Sequence, residues 1–235
     1  LKINEFSKYK KFISKNHSKE HIFAKSRTVF DWFYKKNKFY NLVFAHKNKS
    51  ILGVQGFIPF NKFDIKLKKT CFLAYWRVKN TKEIGIGLRL FKKIMEQKFE
   101  FIGVVGINDN LLNYHKWQGF KIGNLNHHFF INENFKKKKI IKFTKKNKYI
   151  SHKININELN EVSLKDIKDK IFQFQYPKKT KKYLLSRYID NKFYNYKLFY
   201  LNSNKVNLIL VIRMVSIHGT RIMKIIDLIG NQSDI

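Results

Sequence analysis

The sequence predicts a mixed α/β protein in which a central mixed sheet is flanked by helices, followed by part of a second half built the same way. Three observations carry that reading. Amphipathic segments of helical spacing alternate with short apolar ones, in the order helices, three strands, helix, strand, helix, strand. The length of 235 residues corresponds to roughly one and a half domains at about 150 residues each. The pentapeptide Asn37-Lys-Phe-Tyr-Asn41 also recurs unchanged as Asn191-Lys-Phe-Tyr-Asn195.

In the first forty residues, Phe12, Ile13, Ile22, Phe23, Val29, Phe30, Trp32 and Phe33 lie between Lys, Ser and His, the pattern of one or two short amphipathic helices. Residues 40–45 and 51–58, separated by the polar turn 46–50, read as a β-hairpin closed by Pro59, and a third strand follows at about 71–78. From Gly87 to about Lys98 the pattern is helical, with Leu88, Phe91, Ile94 and Met95 on one face and Lys92, Lys93, Glu96 and Gln97 on another. Residues 101–107 are apolar throughout, as expected of a strand covered on both faces. Asn108 opens a helix that runs through Leu111, Leu112 and His115 to stop at Gly119. A last strand is expected around 127–131.

Each copy of the pentapeptide follows a Ser-Arg pair, Ser26-Arg27 and Ser186-Arg187, and each precedes three strand-like segments. In the second copy these are 197–201, 206–215 and 221–229. Duplication explains both the match and the shared order. The expected division is therefore a complete domain at 1–131, a basic connector at 132–153 and a partial second domain at 154–235, whose final strands keep an open edge. A start at Leu1 and a stop just after an apolar stretch add the expectation of a fragment.

With 49 Lys+Arg against 16 Asp+Glu, the formal net charge is +33. Lysine carries it, 43 Lys against 6 Arg, alongside 24 Asn, a bias that A/T-rich codons produce. The excess is spread along the chain: residues 1–131 hold 26 basic and 8 acidic side chains, residues 132–235 hold 23 and 8. Attraction to polyanions such as CoA, nucleotide sugars, RNA or anionic membrane follows, weakened by salt. The densest basic stretch, 135–149, reads as a solvated connector or a lysine-guarded edge strand. No apolar run approaches the roughly 18 residues of a membrane span. A single cysteine, Cys71, excludes a disulfide framework and, with no charged-then-apolar leader, fits a reducing cytoplasmic setting. No residues have metal-ligand spacing.

The segment Thr81-Lys-Glu-Ile-Gly-Ile-Gly-Leu88 lies between a predicted strand and a predicted helix. Its glycines let the backbone turn tightly so that successive N–H groups and the positive helix end converge, as a pyrophosphate requires. The next strand leads into Asn108-Asp-Asn-Leu-Leu-Asn-Tyr-His-Lys-Trp-Gln-Gly-Phe120. Over residues 4–131 this combination resembles the GCN5-related N-acetyltransferase (GNAT) family. That family's pyrophosphate motif, Gln/Arg-x-x-Gly-x-Gly/Ala, is matched by Lys82-Glu-Ile-Gly85-Ile-Gly87, and its later signature is an Asn, a helix bearing a Tyr, then Gly-Phe. Three positions depart from the pattern. Lys82 replaces Gln/Arg, Glu83 sets a negative charge beside the cradle, and His115 stands where the family has its helical Tyr, with Tyr114 one place earlier.

The resemblance implies an acyl-CoA N-acyltransferase fold and acetyl transfer from acetyl-CoA to the amine of a small acceptor, an amino sugar of a surface-glycan pathway being one class. It implies that Val78, Lys82, Glu83, Ile84, Gly85, Ile86, Gly87, Leu88 and Asn108 meet the cofactor, backbone N–H groups near Val78 polarising the thioester. His115, then Tyr114, are the expected acids for the departing thiolate. No carboxylate lies on 71–78, which leaves Asp31, Glu20, His127, His128 or water as the base. Cys71 reads as packing, not as a nucleophile. Two other readings stand beside this one: a Fem-like transferase that uses aminoacyl-tRNA, and a non-catalytic module that binds nucleic acid through basic and aromatic side chains.

Overall fold

The stretch Ser50–Pro59 is too apolar to border water on either face, and the first part of the chain builds a layer on each side of it. The computed structural model describes residues 2–124, 159–173, 175–202 and 207–230. They belong to two units, Leu1–Val105 with Tyr176–Arg187, and Gly106–Gln175 with Tyr188–Ile235.

The first unit opens with three helices, α1 (Phe6–Asn16), α2 (Ile22–Lys25) and α3 (Arg27–Tyr34). A two-residue-strand hairpin follows, β1 (Lys35–Lys36) and β2 (Phe39–Tyr40). The main sheet comprises β3 (Leu42–Lys47), β4 (Ser50–Pro59), β5 (Thr70–Val78) and, after helix α4 (Ile86–Met95), β6 (Phe101–Gly103). Its order is β3-β4-β5-β6. The β3/β4 and β4/β5 pairs are antiparallel and β5/β6 is parallel, so α4 supplies the crossover that a parallel pair needs.

Sequence spacing explains which faces meet. Helix α1 buries Phe6, Tyr9, Phe12 and Ile13, three to four residues apart and therefore on one stripe. The Ser26 hydroxyl accepts the Val29 N–H at 3.3 Å and starts α3, which buries Val29, Phe30 and Tyr34. Their aromatic rings form one layer, with Phe30 4.4 Å from Tyr9 and 4.7 Å from Tyr40 between ring centroids. On the other face α4 buries Ile86, Leu90, Phe91 and Ile94. Glycines in β4 let both layers approach. A Cβ at Gly53 would stand 3.0 Å from Ile86 and Leu90, and one at Gly56 would stand 2.6 Å from the Tyr34 ring.

The segment Tyr176–Arg187 completes this unit. Its short helix Lys181–Leu184 begins at Thr180, whose hydroxyl accepts the Tyr183 N–H at 3.0 Å and donates to Asp64 at 2.5 Å. Burial pushes the Asp64 carboxyl up, but hydrogen bonds from Thr180 and the Lys66 N–H, with the Lys182 and Lys66 charges, hold it below its ordinary value. Tyr183 then packs on Phe60 with centroids 4.6 Å apart.

In the second unit, Asn108 caps a 3-10 turn, Asp109–Leu111, by accepting the Asn110 N–H at 3.1 Å, and α5 (Leu112–Trp117) follows. Strands β7 (Leu159–Glu161), β8 (Tyr196–Asn202), β9 (Asn207–Ile217) and β10 (Thr220–Gly230) form an antiparallel sheet in the order β10-β9-β8-β7. The β9–β10 turn is His218-Gly219, both with positive φ, as a two-residue hairpin turn matched to strand twist requires.

Most predicted elements of the first unit are present within a few residues of their expected bounds, and so are the three strands after the second pentapeptide. The strand expected at 101–107 is a correction. It ends at Gly103, where its pairing with β5 stops, and is only half-buried; Gly106 at φ +73° then turns the chain left-handed, so the strand does not resume. The strand expected at 127–131, the connector 132–153 and the basic stretch 135–149 lie outside the described residues. The two pentapeptides differ locally. Asn37, at φ +53°, makes the turn between β1 and β2, whereas the Asn191 side chain accepts the N–H groups of Phe193 and Tyr194 at 2.9 and 3.0 Å.

The close fit of Gly56 against a fully buried ring gives a test. Gly56→Ala is expected to destabilise the protein by about 1–3 kcal/mol through overpacking, while Gly123→Ala, whose added carbon would meet nothing within 4 Å, changes stability by less than about 0.5 kcal/mol. Chemical denaturation of the two variants checks both values.

Candidate functional site

Strand β5 leaves its parallel neighbour early. The β5/β6 ladder covers only Thr70–Phe101 to Phe72–Gly103, so among the described residues Leu73–Val78 has no strand along that edge. A bulge lies in the same stretch: Ala74 and Tyr75 together oppose Gly56, between the pairs Phe57–Leu73 and Gln55–Trp76. The bulge carries the Tyr75 N–H to 3.5 Å from the Tyr34 hydroxyl.

Past Val78 the chain reaches Gly85, which caps α4 at φ +78° with open space where a Cβ would stand. Gly87 serves a different purpose, since a Cβ there would lie 3.1 Å from the Trp76 indole. One glycine sets the turn and the other lets the helix start rest on β5. Ile86 is buried, while Lys82, Leu88 and especially Ile84, 94% exposed, face solvent. The first N–H groups of α4 have no acceptor four residues back within the helix, whereas the Arg89 N–H already bonds the Gly85 carbonyl at 3.0 Å.

Glu83, the unfavourable charge of the motif, is engaged elsewhere. Its carboxylate accepts from Lys47 at 2.8 Å and lies 4.0 Å from Arg89. The Lys47 hydrogen bond holds the Glu83 carboxyl below its ordinary value against a small burial effect, with the Arg89 charge adding to it.

Of the other expected residues, Asn108, His115 and Tyr114 belong to the second unit and Asp31, Glu20 and Cys71 to the first. Asn108 is an exposed cap. His115 is buried at 1% exposure, with Nδ1 2.8 Å from the Leu111 carbonyl. Tyr114 beside it is half-buried, and burial pushes its phenol up. Asp31 accepts the Tyr40 hydroxyl at 2.6 Å, and Glu20 pairs with Lys25. Cys71 is fully buried, its thiol pushed up to about 12 by burial, which makes it a poor nucleophile. His127 and His128 lie outside the described residues. Among the described residues no group of three or more His, Cys, Asp or Glu is placed to hold a metal ion. No helix there is long and apolar enough to cross a membrane. A cleft of about 980 Å³ follows the outer edge of β3, lined by residues such as Phe44, His46 and Lys93. None of the motif residues borders it.

A cluster that spacing and motif did not point to stands at the end of α1. His17 and His21 meet Tyr75, with His17 Nδ1 3.3 Å from the Tyr75 hydroxyl. The available signal was two histidines four residues apart in a polar turn, which without the fold names no partner. His21 also caps α2, its Nδ1 accepting the Phe23 N–H at 3.2 Å.

No protein-family model matches the chain, and no curated protein matches it. Among solved structures, it is similar to a transcriptional regulator from Bacillus halodurans C-125, with 14% identity and a TM-score of 0.38 over 55% of this chain and 96% of the other. It is similar to the same degree to a Trypanosoma brucei acetyltransferase, with 13% identity and a TM-score of 0.38 over 56% of this chain and 96% of the other.

Burial and the neighbouring His17 push the His21 imidazole below its ordinary pKa. Below pH of about 6.5 the unfolded chain binds the His21 proton more readily than the folded one, so this part of the stability is lost as pH falls. His21→Asn keeps an N-cap without a titrating group. Thermal melts from pH 7.5 to 5 are expected to show a shallower acid-side loss in His21→Asn than in the unaltered protein.

Proposed function

We propose that this protein is an acyl-CoA-dependent N-acyltransferase that moves an acetyl group from acetyl-CoA to a primary amine, with amino sugars as the acceptor class. The observation that supports it most is the junction between β5 and α4. There a strand parts from its parallel neighbour, and the turn that follows ends in a left-handed glycine and a helix start with free N–H groups. Ligands of parallel sheets bind beyond the carboxyl ends of the strands, which is where this junction stands.

In this reading the open backbone edge of β5 up to Val78 takes the pantetheine amides and polarises the thioester oxygen. The N–H groups around Gly85, Ile86, Gly87 and Leu88 hold the pyrophosphate, and Lys82 adds a mobile cation. The pairing of Glu83 with Lys47 and Arg89 offsets the negative charge of the motif. The amine, neutral when it reacts, attacks the carbonyl carbon, and the CoA thiolate departs. The excess of basic residues favours the anionic donor without supplying specificity. The sheet β7–β10 enters the proposal as the partial repeat of the first half.

Acetyl-CoA at moderate salt is expected to raise the melting temperature. Gly85→Asp, which sets a carboxylate and a Cβ at the left-handed cap, is expected to abolish that shift. Gly85→Ala, with open space and only backbone strain of about 1–2 kcal/mol, retains binding. Unchanged affinity in Gly85→Asp overturns the cradle. No acetyl-CoA effect, together with steeply salt-dependent RNA binding, overturns the acyltransferase reading in favour of nucleic acid.

A further inference from the structure

On the face of the first sheet opposite α4, five titratable rings meet where α1 ends and β5 bulges. His17 stacks along Tyr75 with centroids 5.6 Å apart and rings 19° from parallel. His21 stands edge-on to Tyr75 at 5.2 Å and 4.7 Å from His17. Beneath them Tyr9 is 6.3 Å from Tyr75, and its hydroxyl is buried with no hydrogen-bond partner. The Tyr34 hydroxyl faces the Tyr75 N–H. Arg77, the next residue of β5 on this face, donates Nε to the Asn16 carbonyl at 2.6 Å and ties the α1–α2 turn to the strand. Packing alone calls for apolar side chains here. Instead His17 is exposed and Tyr75 half-buried at the solvent boundary of an otherwise closed aromatic layer.

Burial pushes the Tyr75 phenol up, with Arg77 opposing it only in part. The hydroxyl therefore keeps its proton at neutral pH, 3.3 Å from His17 Nδ1, and the tautomer of His17 sets which of the two donates. His21 accepts the Phe23 N–H on Nδ1, and a protonated Nδ1 could not. Glu20, on the same turn, is bound to Lys25. Among the rings facing Tyr75, His17 is the group placed to receive its proton.

We propose that Tyr75 is a catalytic residue that deprotonates the acceptor amine and that His17 is the positioning residue that takes up the proton. The proposal rests on the N-acyltransferase reading above. The acceptor ammonium passes one proton to Tyr75 Oη while the Oη proton moves to His17 Nδ1, so the phenol stays neutral and His17 becomes an imidazolium. The freed lone pair forms the C–N bond to the thioester carbonyl carbon. The C–S bond breaks with its electron pair on sulfur, and that thiolate takes the second proton of the amine. His17 then releases its proton to water, and the step closes with amide, CoA thiol and one proton.

Two measurements on the full chain test the relay. Long-range 1H–15N spectra of the imidazoles are expected to show His17 carrying its proton on Nε2, and Tyr75→Phe is expected to remove that preference. A His17 proton on Nδ1, or an unchanged spectrum in Tyr75→Phe, overturns the proposal. With acetyl-CoA and glucosamine as the probe acceptor, Tyr75→Phe and His17→Gln are each expected to lower kcat about a hundredfold. Both are expected to flatten the acid limb of kcat/KM and to leave acetyl-CoA affinity unchanged. An unaltered rate and pH profile in folded variants overturns the relay while the acyltransferase reading stands. Failure of the unaltered protein to bind acetyl-CoA removes that reading, and the relay falls with it. If acetyl-CoA binds and glucosamine is not acetylated, the imidazole spectra decide.

Discussion

Strand β4 is buried from Leu52 to Pro59, so water must be excluded from both of its faces, and the first unit is arranged to do that. Helices α1 to α3 cover one face, mainly with aromatic rings, and α4 covers the other, mainly with aliphatic side chains. Gly53 and Gly56 set how closely each layer approaches. A strand covered on both sides gains more from burial than a two-faced one, at roughly 25 cal/mol for each Å² of apolar surface removed from water. That gain allows the neighbouring strand to be irregular. Strand β5 is held by β4 along nearly its whole length, and it can bulge at Ala74–Tyr75 and part from β6 without losing its place.

The same arrangement fixes the helix start that the proposed cofactor would meet. Helix α4 is anchored by Ile86 and Leu90 over Gly53 and by Gly87 against Trp76. Its first turn is therefore set against the end of β5 by the packing of the core. The charges around it are arranged by pairing: Lys47 and Arg89 both turn to Glu83, leaving Lys82 to solvent. Exposed pairs such as these contribute little to stability, and their consequence is local, in the sign of the field at the turn.

Much of the first unit was legible because periodicity reports burial. The continuous apolar run of β4 names the faces that must be covered. The expected apolar face of α4 is half right: Phe91 and Ile94 are buried, whereas Leu88 and Met95 face solvent and Ile86 and Leu90 take their places in the core. The glycine motif placed Gly85 correctly at a helix start, though only the fold separates its conformational role from the packing role of Gly87. The end of β6 was not legible, since 101–107 is apolar without interruption and the strand stops where its tertiary pairing with β5 ends, at Phe72–Gly103. The cluster of His17, His21 and Tyr75 was hidden for a different reason. Tyr75 lies 58 residues from His17 in sequence, and a tertiary contact between a turn and a bulge leaves no period to read.

The pentapeptide shared by residues 37–41 and 191–195 is one string with two shapes, a reversal led by a left-handed Asn in one place and a side-chain-capped bend in the other. A shared string thus does not fix a shape: its surroundings choose among the backbone states those letters permit. An antibody raised against one form would meet the other as a stranger.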